Sequence, residues 1–162
     1  MPPSPSPHGG SDAGKKINGR KRHLLTDTLG LLLAVLVTPA STTDRDAARS
    51  LLPVVRGRFG RLPRVWADGG YTGHLVDWSA TQLGVVLDIV RRSDDTRGFQ
   101  VLPRRWVVER SFAWCLRSRR LVRDYARRTD TSEAVILWSM TMLMSRRLAA
   151  QRRQRPAPAR AA

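Results

Sequence analysis

The run Leu31–Val37, LLLAVLV, restricts the fold more than any other stretch of the chain. Seven apolar residues in a row show no alternation, so both faces of the segment need cover. Such a run suits a strand with packing above and below it, not a half-wet edge. Pro39 ends it. Neither this run nor the apolar patch around Val135–Met144 approaches the roughly 20 residues that span a bilayer.

The surroundings of the run read as an α/β layered domain. Upstream, the basic stretch Lys15–His23 (KKINGRKRH) contains Asn18-Gly19, a pair that predicts a tight turn and hence a hairpin tip. His23–Asp27 reads as a strand, joined by Thr28-Leu29-Gly30 to the apolar run. Downstream, Asp44 reads as a helix N-cap. Ala47, Ala48, Leu51, Leu52 and Val55 keep helical spacing, and Pro53 should kink or shorten that helix. Arg64–Ala67 is a short strand, residues 74–83 a helix and Val85–Val90 a second buried strand. Pro103 opens a helix over residues 104–121. Asp130 and Glu133 form a capping-box-like start for a last helix, whose apolar face is Ala134, Leu137, Trp138, Met142 and Leu148. The order is strand, strand, helix, strand, helix, strand, helix, helix. Residues 1–14 read as a flexible leader, 15–150 as one domain and 151–162 as a basic disordered tail.

Charge narrows the function classes. The chain carries 29 Lys and Arg against 13 Asp and Glu, a formal net charge of +16. Polyanions are the natural counter-charge, nucleic acid first and a membrane surface second. Only Lys15, Lys16 and Lys21 are lysines. Arginine suits bidentate phosphate contacts, though GC-rich coding would give the same bias. The single cysteine, Cys115, excludes an intrachain disulfide and a cysteine-based zinc site, which fits a reducing cytoplasm. The first ten residues have no apolar core of a signal peptide.

Two carboxylates could carry chemistry. Asp68 follows a strand and precedes two glycines in WADGGY, where ligands bind in open α/β sheets. A turn aspartate capping its own loop fits the same letters. Glu109, in RRWVVER, lies at the margin of a helical stripe of Val108, Phe112, Cys115 and Leu116. An i, i+4 pair with Arg105 is the plainer reading, worth a few tenths of a kcal/mol. Mg²⁺ prefers carboxylates and water, and paired ions promote phosphoryl transfer. That chemistry needs at least three such ligands. The tryptophans 66, 78, 106, 114 and 138 could stack on flipped bases or pack in the core. Arg117–Arg127 holds five arginines and Tyr125, either a DNA-tracking band or a solvated face.

Taken together, DAGKKINGRKRHLLTDTLGLLLAVLV, TTDRDAA, LPRVWADGGYTG, the stretch from IVRRSDD through LPRRWVVERSFAWCLRSRRLVRDYARR, and TSEAVILWSM resemble the IS5-like branch of the IS4/IS5 DDE transposases over roughly residues 12–149. The resemblance implies an RNase-H-like mixed sheet with flanking helices. It implies Mg²⁺ (or Mn²⁺) in a two-metal site. It also implies cleavage of insertion-element ends and their joining to target double-stranded DNA. It places two catalytic, metal-binding carboxylates on Asp68 and Glu109, and Arg105 four residues before the glutamate. The DNA contacts are assigned to Lys15, Lys16, Arg20, Lys21, Arg22, Arg105, Arg117 and Arg120. Leu102 stands at the signature's tyrosine and Leu116 at its later basic position, with Arg117 next to it. The family's first aspartate lies on a strand upstream of DAGKKINGRKRH, where this chain reads MPPSPSPHGGS. The expectation is therefore a core lacking its first strand. It is completed by an upstream-encoded fragment, with a homodimer as a separate expectation, or else it is a non-catalytic DNA-binding remnant. A basic RNA-binding protein is the third reading.

Overall fold

A computed structural model describes residues 10–12, 17–90 and 105–154. Its centre is an antiparallel hairpin of β2 (Ile17–Thr26) and β3 (Leu32–Pro39). The joining turn is as the sequence predicts. Asp27 accepts from the amides of Leu29 and Leu31 at 2.9 and 2.8 Å, and Gly30 takes φ +80°.

The apolar run is buried from two sides. Ala34 and Leu36 meet one cluster with Leu51, Leu52, Val55, Leu75 and Leu87, while Val35 and Val37 meet another with Cys115, Leu121, Ile136 and Met140. The register shifts after Leu25, whose partner is Ala34, while Thr26 pairs with Leu32. That bulge absorbs Leu33, which joins Ala34 on the first side. The first layer is α1 (Asp44–Arg58) and α2 (His74–Leu83). The opposite layer is α3 (Arg105–Leu116) and α4 (Thr129–Gln154). A parallel pair, β4 (Arg64–Ala67) and β5 (Val86–Ile89), forms a second sheet against the α1 side.

The element order agrees with the sequence reading, and several details do not. Asn18-Gly19 lies inside β2, opposite a short strand β1 (Gly10–Asp12), and makes no hairpin tip. Gly10–Asp12 form β1, and α4 runs on to Gln154. Among the described residues the strands form two sheets, β1–β2–β3 and β4–β5, where a single mixed sheet is expected. Thr43, not Asp44, caps α1, accepting from the Asp46 amide at 3.2 Å. Pro53 sits within α1, which continues to Arg58. The helix predicted to reach residue 121 stops at Leu116, and a 3-10 turn over Arg119–Leu121 follows.

Helix faces also differ. On α4 the buried residues are Ser132, Ile136 and Met140, while Leu137, Trp138, Met142 and Leu148 are exposed. On α3 the buried line is Val107, Ser111 and Cys115, with Val108 and Leu116 exposed. Glu133 does not close a capping box. Its carboxylate accepts from the Val37 amide at 2.7 Å and ties α4 to β3. No helix among the described residues is long and apolar enough to cross a membrane.

Candidate carboxylate site

Asp68 leaves β4 and caps a 3-10 turn over Gly69–Tyr71, its Oδ1 accepting from the Gly70 amide at 2.9 Å. The side chain is exposed. A second carboxylate stands at the same glycine. A Cβ on Gly70 would lie 2.9 Å from Asp44 Oδ2 and 3.1 Å from Asp68 Oδ1. A side chain at position 70 would push the two carboxylate tips aside, while the backbone there is not in the left-handed region.

Asp44 opens α1 just after β3, which is how a residue far from Asp68 in sequence reaches it. Lys21 Nζ lies 3.9 Å from Asp44 Oδ1 and donates to the Thr42 carbonyl at 3.0 Å. Tyr71 completes the neighbourhood. Burial, then Asp44 and Asp68, push its phenol up to about 12. His23 is buried on β2, with Nε2 3.0 Å from Thr38 Oγ1. Burial holds its pKa below the ordinary value, against an opposing pull from Asp44. Sequence reasoning missed Asp44 by assigning it to a cap. The available signal was TTDRDAA, a second acid placed directly after a buried strand.

Glu109 is exposed on α3 and does not half-face the core. The helix is fixed by Ser111, whose hydroxyl donates to the carbonyls of Gly30 and Val107 at 2.8 and 2.9 Å. Arg110 lies between the rings of Trp106 and Trp114, 4.3 and 4.9 Å from their centroids, and donates to the Leu29 carbonyl at 2.7 Å. Arg105 begins α3, four residues before Glu109.

The carboxylates have the donor chemistry that Mg²⁺ takes, hard oxygen. Their number falls short. Among the described residues no three His, Cys, Asp or Glu side chains converge on a point that could hold a metal ion. Asp68 is brought together with Asp44, and Glu109 does not join them in such a group. The described residues alone therefore do not make an ion site.

The predicted DNA contacts divide. Lys15 and Lys16 lie outside the described residues. Arg20 and Arg22 face inward and serve the protein. Arg20 donates to the carbonyls of Ala126 at 2.8 Å and Arg127 and pairs with Asp124 at 3.3 Å. Arg22 donates to the Leu121 carbonyl at 2.8 Å. Lys21 is engaged at Asp44. Arg117 and Arg120 are exposed.

Residues 2–145 match the family model described as "Transposase DDE domain". A Burkholderia cepacia protein, named as a transposase for insertion sequence element IS402, is 34% identical over 125 residues. That match covers 73% of this chain and 59% of the relative. The chain thus spans under two thirds of that relative's length. No solved structure matches.

Proposed function

Because the chain belongs to the transposase DDE domain family, we propose that it is the carboxylate-bearing part of an insertion-sequence transposase of the IS5-like branch. Its reaction is metal-dependent cleavage and joining of element-end DNA. The reading rests most on Asp68, held at the end of β4 with a second carboxylate at the same glycine. Glu109 on α3 is the further acid that the resemblance assigns. Such a family implies a divalent metal in general, and Mg²⁺ or Mn²⁺ is the proposed ion. The remaining ligand comes on a strand supplied by an upstream-encoded polypeptide. That strand would help join the two separate sheets into one RNase-H-like sheet. Lys15, Lys16, Arg105, Arg117 and Arg120 are the proposed DNA contacts.

The test adds a polypeptide carrying that strand to this chain. Cleavage of labelled element-end duplex is then followed with Mg²⁺ or Mn²⁺. The mixture should nick and join the duplex, and this chain alone should not. Asp68→Ala and Glu109→Ala should each abolish cleavage. Both should leave DNA affinity unchanged or slightly raised, since each removes a negative charge. Robust cleavage by this chain alone would show that it needs no outside carboxylate. A second reading, a non-catalytic DNA-binding remnant, is favoured by the lack of a three-acid cluster among the described residues. It predicts tight DNA binding and no cleavage in the mixture.

A further inference from the structure

Residues 117–128 connect α3 to α4 and carry six arginines. Their backbone faces inward. The carbonyls of Leu121, Ala126, Arg127 and Arg128 all accept from Arg20 or Arg22 of β2. Leu121 is buried beneath them. The acids of the segment are also taken. Asp124 pairs with Arg20 and accepts from Ser132, and Asp130 pairs with Arg128 at 2.6 Å. Arg117, Arg119, Arg120, Arg123 and Arg127 stay exposed, and among the described residues none of them makes an ion pair. Tyr125, 68% exposed, stands among them.

This arrangement differs from a solvated charge run. Five like charges sit on a connection whose backbone Arg20 and Arg22 pin at residues 121 and 126–128, which keeps them on one short, anchored stretch. The concentrated potential is relieved by a polyanion that meets several guanidinium groups at once, and their planar forks match phosphate oxygens. From this we propose that residues 117–127 form a preformed phosphate-backbone site for duplex DNA. Arg20 and Arg22 act as its latch and not as DNA contacts. The proposal deepens the transposase reading and rests on it. The site positions a duplex and reads no base.

The test is anisotropy of a labelled blunt duplex across a salt series. Each phosphate contact contributes about 0.9 to the slope of log affinity against log salt. A variant with Arg119→Gln, Arg123→Gln and Arg127→Gln should lower that slope by about 2 to 3. A charge-matched control with Arg58→Gln, Arg61→Gln and Arg152→Gln, all at exposed positions, should lower it by less than about 1. Equal losses in both variants would mean diffuse attraction, and the site would fall while DNA binding stood. Absence of duplex binding by the unaltered chain would overturn both readings. Loss of binding to phosphatidylserine vesicles, with duplex binding intact, would also overturn the proposal. Should the triple variant not fold, each single substitution is expected to lower the slope by about 1.

Discussion

Arg20 keeps only 12% of its side chain in solvent and satisfies three consecutive carbonyls and one carboxylate. A flexible amide cannot span that fork. Arg20→Gln should therefore lower unfolding free energy by about 2 kcal/mol, the scale of a hydrogen bond to a charged group. Urea denaturation measures it, and amide exchange should rise across residues 121–128. Unchanged exchange there would show that something else holds the connection. His23 gives a pH prediction. Burial, the main cause, holds its folded pKa below 6.5, with Lys21 adding to burial and Asp44 opposing it. Below about pH 6.5 the unfolded chain then binds a proton that the folded chain resists, so this contribution is full above that pH and is lost on acidification. The stability of the native chain minus that of His23→Gln, followed by thermal melts, should fall below pH 6.5 and stay level above it.

At the scale of elements, the hairpin is closed by a glycine with no substitute. Gly30 has φ +80°, and a Cβ there would meet Ser111 Oγ at 2.9 Å and the Val107 carbonyl at 3.3 Å. Gly30→Ala combines left-handed strain of about 1–2 kcal/mol with a clash against α3. A loss of more than about 2 kcal/mol is expected, read as a lowered melting temperature. The hairpin was legible because LLLAVLV and Thr28-Leu29-Gly30 act locally. The facing of α4 was not. Apolar residues surround that helix, so periodicity does not choose Ile136 and Met140 over Leu137 and Trp138. The place of Asp68 in a turn at the end of β4 was legible from its glycines. Asp44 was not, because its tie to Asp68 exists only after α1 packs. Glu133 looked like a local cap, yet its partner, Val37, is on another element.

For the whole molecule, β2 and β3 form a shared wall between two apolar clusters. Neighbouring residues of one strand serve opposite sides, so neither side can melt and leave the strand in place. Ile136→Ala, at a position with no exposed surface, should cost about 2–5 kcal/mol. Unfolding should remain a single transition by both tryptophan fluorescence and far-ultraviolet circular dichroism. Separate midpoints for the two probes would contradict a shared wall. The split sheet has a mechanical consequence. Strands in a ladder are held about 4.8 Å apart by hydrogen bonds, whereas no strand pairing joins β1–β2–β3 to β4–β5 among the described residues. Among the described residues the two sheets meet through a shared apolar cluster to which α1 contributes. Leu51, Leu52 and Val55 pack with Ala34 of one sheet and Leu87 of the other, so the nearness of Asp44 and Asp68 hangs on close-packed side chains and on no rung of a ladder.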